Sequence, residues 1–166
     1  THAAAAFPER PIRIVVPFPP GGSNDILGRF VATRLTARLG QQVVIDNRGG
    51  ASGIIGTEIV AKANPDGYTL VLSNFGPLAI SPFVYAKLPY DPVKQLVPVT
   101  NVGTGTQTIA VNRRIPVTTL PELIAYAKAN PGKLNFTAAG TQNVSHLAPV
   151  LLFALAGIDL VFVPAK

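Results

Sequence analysis

Val15-Val16-Pro17-Phe18-Pro19-Pro20-Gly21-Gly22-Ser23-Asn24-Asp25 is the stretch on which the reading of the fold turns. The β-branched run from Ile12 to Val16 predicts a buried strand. The prolines and Gly21-Gly22 end it in a tight turn. Ser23 then reads as the N-cap of a helix, with Asp25 placing negative charge in its first turn. A strand, a glycine turn and a helix start gather unpaired amide N–H groups and the positive end of a helix dipole in one place. Such a place suits an anion. The same turn is also read as a plain β–α connection. It lacks the lysine of a phosphate-binding loop and the G-x-G-x-x-G spacing of a dinucleotide fold.

Working outward, the helix is expected to run from Ser23 to Leu39, with Ile26, Leu27, Phe30, Val31, Leu35 and Leu39 as its apolar stripe and Gly40 as its stop. Gln42 to Asp46 predicts a second strand, followed by the glycine-rich loop from Asn47 to Gly53 and a helix from Ile54 to Ala63. The turn Asn64-Pro65-Asp66-Gly67 leads to a third strand, Tyr68 to Ser73, and a loop through Asn74 and Phe75. Leu96 to Val102 and Thr108 to Asn112 are expected as further strands. Thr119-Leu120-Pro121-Glu122 is a capping box that opens a helix ending at Ala129. Lys133 to Thr137 predicts a strand, Val144 to Ala156 a helix and Asp159 to Val163 a last strand. Strands alternating with helices predict an α/β fold with parallel sheets and flanking helices. Residues 7–104 are assigned to a first lobe and 105–166 to a second, incomplete one.

The 166 residues are 48% hydrophobic and 13% charged, with a net charge of +6. No apolar run approaches the ~20 residues of a membrane span. The basic residues are scattered, with no basic stripe interleaved by aromatics, so nucleic acid is not expected as a partner. The absence of cysteine excludes disulfides and thiolate chemistry. No carboxylate pair is set for acid–base work, no cluster has metal-ligand spacing, and no cofactor is expected. Ser145 and His146 are sequence neighbours, so on a helix they diverge and make a poor nucleophile–base pair; packing or capping suits His146 better than catalysis. The small-residue start Thr1-His2-Ala3-Ala4-Ala5-Ala6 resembles the tract around a secretory cleavage site, so a mature exported protein is expected.

Several blocks also resemble a known family. Pro11 to Asp25, Asp46 to Gly56, Ala63 to Leu70, Tyr90-Asp91-Pro92 and Gly157 to Pro164 are similar, in that order, to the Bug-type solute-binding receptors of tripartite tricarboxylate transporters. The resemblance implies a type II periplasmic-binding-protein-like fold of two α/β lobes. It also implies a ligand cleft between the lobes, a small organic anion such as a carboxylate as ligand, a membrane permease as partner, a periplasmic location and no enzymatic activity. Carried onto this chain, the ligand-binding residues are Phe18, Gly21, Gly22, Ser23 and Asp25 in the first loop and Ser73, Asn74 and Phe75 in the next. In the second lobe they are Thr137, Ala138, Ala139, Gly140, Thr141, Asn143 and His146. Ala139, Gln142 and Asn143 depart from the family's usual small-Ser-Gly-x-Gly-Ser loop, which changes the shape of that side of the cleft. The family is longer than this chain, so a receptor cut within its second lobe is expected, with exposed apolar surface that favours self-association. Two other readings stand beside it: an enzyme on a small anionic substrate with Asp25 as its base, and a self-associating fragment that binds nothing.

Overall fold

The computed structural model describes residues 7–138 and 144–164. They fall into two compact units, Thr1–Val102 and Gly103–Lys166. The first is built on a parallel sheet of three strands, β1 (Ile12–Val16), β2 (Val43–Asn47) and β3 (Thr69–Val71), in the order β2-β1-β3. Ile12 pairs with Val43 and Val16 with Asn47 on one side of β1; Arg13 pairs with Thr69 and Val15 with Val71 on the other. A central strand flanked on both edges and covered on both faces needs side chains that are apolar on both faces. Ile12, Ile14, Val15 and Val16 are accordingly all buried.

Helix α1 (Ser23–Leu39) covers one face of the sheet. Ile12, Ile14, Val43 and Ala32 form the core there, with Leu35, Leu39, Ile45, Leu70 and Leu72 packed around it. The helix does not use the whole stripe expected from its apolar residues. Ile26, Leu27 and Phe30 are exposed, and the buried positions are Asp25, Gly28 and Ala32. Close approach explains the choice. A β-carbon at Gly28 would lie 3.3 Å from both Ile45 Cδ1 and Val16 Cγ2, so a small residue sets the helix down on the sheet. The N-cap also differs from expectation. Gly22 holds it in extended backbone, Ser23 is the first helical residue, and no side chain caps the end. Gly40, at φ 69°, ends the helix with its N–H on Thr36 O.

Helix α2 (Ile54–Ala61) packs against β1 and β3. Fully buried Thr57 donates from its hydroxyl to Gly53 O at 2.8 Å. Beyond β3, a wide turn over Gly76–Ile80 passes into α3 (Ser81–Val84), and α4 (Pro92–Gln95) follows, capped by the Asp91 carboxylate. The Asn64–Tyr68 block holds the segment just before β1. Asp66 pairs with Arg10 at 2.8 Å, and the Arg10 guanidinium lies over the Tyr68 ring.

The second unit holds α5 (Leu120–Ala129), β4 (Asn135–Phe136), α6 (Val144–Ala156) and β5 (Val161–Phe162), with β4 and β5 parallel. Thr119 and Glu122 form the expected capping box. Leu123, Ala127 and Phe153 are buried, and Phe153 meets Phe136 edge-on at 5.1 Å. The strands expected over Leu96 to Val102 and Thr108 to Asn112 do not form among the described residues. Both segments lie exposed without a ladder partner. A strand exists only through pairing with a neighbour, and neither segment has one here. No helix among the described residues is long and apolar enough to cross a membrane.

One contact fixes how α2 meets β1. A β-carbon at Gly56 would stand 2.6 Å from Arg48 O and 2.8 Å from Pro17 Cα, both backbone atoms. Gly56→Ala is expected to cost about 3 kcal/mol or more of stability, read as a lower midpoint in urea unfolding followed by circular dichroism.

Candidate functional site

Because β1, β2 and β3 are parallel, their carboxyl ends lie along one edge of the first unit. Three loops leave that edge: residues 17–22, residues 48–53 and residues 72–75. Phe18, Gly21 and Gly22 come from the first, Ser23 and Asp25 from the first turn of α1 that follows it, and Ser73, Asn74 and Phe75 from the third. The fold therefore brings these eight expected residues to one edge of one sheet. The register carried beyond Val15–Val71, with Leu72 N donating to Val15 O at 3.0 Å, sets Ser73 beside Pro17.

Gly21 adopts φ 84°, which turns the chain into the extended Gly22 and on into α1. The amides of Ser23 and Asn24 then have no intrahelical partner, as at every helix start. The Gly21 amide is already used. Asp25 is 3% exposed, and its Oδ2 accepts from Gly21 N at 2.9 Å and from Arg29 Nε at 3.1 Å. Arg29 Nη2 stands 3.1 Å from Asp25 Oδ1, close enough for an ion pair but not aligned for a hydrogen bond. The Arg29 guanidinium, and then the Gly21 amide, hold the Asp25 carboxyl below its ordinary range. Asp25 is thus an ionised, fully engaged brace for the turn. Arg29 offsets its charge, which leaves the dipole and the free amides of α1 to set a potential favourable to anions.

Ser73 adds a second polar group. Its hydroxyl is buried and has no hydrogen-bond partner among the described residues. Asn74 is committed elsewhere, its Oδ1 accepting from Gly76 N at 3.0 Å, and the Phe75 side chain is largely exposed.

Three residues that the sequence reading left out hold these loops in place. Asn47, at the end of β2, donates from Nδ2 to Phe18 O at 3.1 Å, while its Oδ1 accepts from Arg29 Nη2 at 3.3 Å. Tyr90, buried, donates to Pro77 O at 2.6 Å and so ties down the segment after β3. Burial pushes its phenol up, which keeps it a donor. Gly53 lies against both Phe18 and Pro77. The resemblance singled out the Asp46-Asn47-Arg48 and Tyr90-Asp91-Pro92 blocks without a role; the structure makes them the braces of the first and third loops.

The remaining expected residues belong to the second unit. Thr137 and Ala138 follow β4, again at a carboxyl end. His146, in the first turn of α6, packs its ring 4.1 Å from that of Phe162 and stacks at 6.1 Å on Phe136. Ala139, Gly140, Thr141 and Asn143 lie outside the described residues. Among the described residues, no three His, Asp or Glu side chains cluster to hold a metal ion. Two hollows on the first unit are lined by neither the first nor the third loop. One lies on the sheet face by Arg13, Val44, Asp46 and Arg48, and the other under α1 by Thr33 and Thr36. Both are open hollows. In the first, the Asp46 carboxylate is already shared between Arg13 and Arg48.

In α/β folds ligands commonly bind outside the carboxyl ends of parallel strands, and the three loops lie at that edge. Comparison with known proteins agrees. The family described as "Tripartite tricarboxylate transporter family receptor" matches residues 27–166, and the chain belongs to that family. Protein BugT of Bordetella pertussis is 40% identical over 165 residues, which is 99% of this chain and 51% of BugT. A solved structure described as a periplasmic transporter superposes with a TM-score of 0.81 at 39% identity, over 96% of this chain and 54% of that one. A second, R. palustris Rpa4515 with adipate, gives 0.82 at 36% identity, over 97% and 54%. The chain spans about half the length of the relatives it matches.

The Asp25 brace carries a pH dependence. Its folded pKa lies below the ordinary 3.8, so its contribution to stability is complete above that value and is lost as pH falls through the folded value. Asp25→Asn is expected to be less stable than the parent at about pH 7 and to lose less on acidification to about pH 3. Thermal midpoints at the two pH values check this.

Proposed function

We propose that this chain forms the carboxylate-gripping part of an extracytoplasmic solute receptor, which captures a small organic anion and passes it unchanged to a membrane permease. The observation that carries the reading is the carboxyl edge of the first sheet. There the start of α1 carries no side-chain cap, Asp25 in its first turn is ion-paired with Arg29, and the loop after β3 holds the buried Ser73 hydroxyl, which has no hydrogen-bond partner among the described residues. A ligand carboxylate would accept from the amides of Ser23 and Asn24 and from the Ser73 hydroxyl, while the α1 dipole lowers the energy of its charge. By family resemblance, Thr137 to Thr141, Asn143 and His146 of the second unit are further candidate ligand residues. Adipate in a structural neighbour makes a short dicarboxylate the first ligand to try. Family membership supports the transport role and the periplasmic location. Binding without chemistry is supported at Asp25, the one carboxylate in the loop, which is ionised and engaged on both oxygens by Gly21 and Arg29 and so is poorly placed to act as a base.

Calorimetric titration of the 166-residue chain with adipate, and with the neutral diamide adipamide as control, tests the reading. Adipate is expected to bind and adipamide not. Equal binding of the two, or binding of neither adipate nor shorter dicarboxylates, would overturn it. Ser23→Pro sharpens the test. Proline is tolerated at the first helical position, and Gly22 at φ −75°, ψ 168° already has the backbone that precedes a proline. The substitution removes one amide donor without breaking α1. It is expected to weaken adipate about tenfold or more, whereas Ser23→Ala, which keeps the amide, has a smaller effect.

A further inference from the structure

We propose that Gly53 is a positioning residue for the anion-gripping loop and acts through the Phe18 ring; its meaning for ligand capture rests on the carboxylate-receptor reading. The segment Ala51-Ser52-Gly53 is left-handed throughout, with φ values of 47°, 55° and 94°. Residues with a β-carbon avoid that backbone, so two of them in succession mark a turn that the surrounding structure enforces. The enforcing contacts are specific. Gly53 N donates to Gly50 O at 3.0 Å, and Gly53 O accepts from the hydroxyl of fully buried Thr57 at 2.8 Å. Gly53 is therefore anchored to α2.

Its Cα faces two side chains. A β-carbon there would stand 3.0 Å from Pro77 Cγ, 3.2 Å from Phe18 Cζ and 3.5 Å from Phe18 Cε1. Pro77 is fully buried, and its carbonyl is held by Tyr90. Gly53 and Pro77 are thus both fixed, and the Phe18 ring is the neighbour free to yield. The Phe18 carbonyl is held by Asn47, and its ring lies against Gly53. It lies three residues before Gly21, so its placement sets where the loop turns into α1. Gly53 thereby links three loops from three strands without touching the anion itself.

Amide hydrogen exchange by NMR on the 166-residue chain tests this without any ligand. Gly53→Ala is expected to speed exchange at Gly21, whose amide is bonded to Asp25, about tenfold. Arg13 and Leu72, whose amides are bonded within the sheet, keep their rates. Alanine at this backbone angle carries strain of its own, so the variant is repeated with Phe18→Leu, which makes room for the added methyl. The double variant is expected to return Gly21 exchange to within a few-fold of Phe18→Leu alone. Three outcomes overturn the proposal: uniform acceleration across sheet and loop, an unmoved Gly21, or an equal effect of Gly53→Ala in the Phe18→Leu background. If Gly53→Ala alone fails to fold, the double variant must fold and show near-parental Gly21 exchange, or the proposal falls. Adipate titration runs in parallel. Failure of the parent chain to bind adipate removes the receptor reading, while the exchange result still decides the role of Gly53.

Discussion

Parallel pairing of β2 and β3 on either side of β1 is the constraint on which the first unit depends. Parallel strands must all be left from the same edge, so loops separated in sequence by a whole helix and strand are forced to be neighbours. That one fact brings Gly21, Asn47, Gly53 and Ser73 to a common region. Their local chemistry then fits together: an amide for Asp25, a carbonyl of Phe18 for Asn47, a hydroxyl left over at Ser73.

The loops are shaped by small residues at points of close approach and by polar side chains that bond to backbone. Gly28 lets α1 down onto Val16 and Ile45, and Gly56 lets α2 down onto Pro17. Between them the β1–α1 turn has little freedom. Asp25 is the sharpest case. A buried carboxylate in the first turn of a helix suggests a catalytic base, yet its Oδ2 accepts from Gly21 and Arg29 and its Oδ1 is ion-paired with Arg29. An acidic group used this way stiffens a turn and leaves the amides of Ser23 and Asn24 without an intrahelical partner. Rigid placement of donors lowers the ordering cost of binding.

The sheet and its helices were legible because each rests on local signals: β-branched runs, the capping box at Thr119 and Glu122, the αL stop at Gly40. The first β–α turn was legible for the same reason, since a strand, two glycines and a helix start are adjacent in sequence. The α1 stripe misled, because apolar character marks what is able to be buried, while close approach decides what is. Ile26 and Phe30 are apolar and exposed; Gly28 and Ala32 are small and buried. Leu96 to Val102 and Thr108 to Asn112 misled differently. Their composition suits a strand, but a ladder requires a second strand that composition does not supply.

The sequence by itself determined the alternation of strand and helix, the glycine turn before α1 and, through blocks spread along the chain, the family. Only the tertiary structure decided which groups in that turn are free. Gly21 N–H and Asn74 Oδ1 are spent on internal bonds and Asp25 Oδ2 accepts two, whereas Asp25 Oδ1, ion-paired with Arg29, and the Ser73 hydroxyl make no hydrogen bond among the described residues. It also decided that Asn47, Tyr90 and Gly53 hold the loops. The physical reason is that a hydrogen bond or a van der Waals contact depends on distance in space. For Asn47 with Phe18, or Gly53 with Pro77, that distance is set by strand register and helix seating rather than by neighbours in the chain.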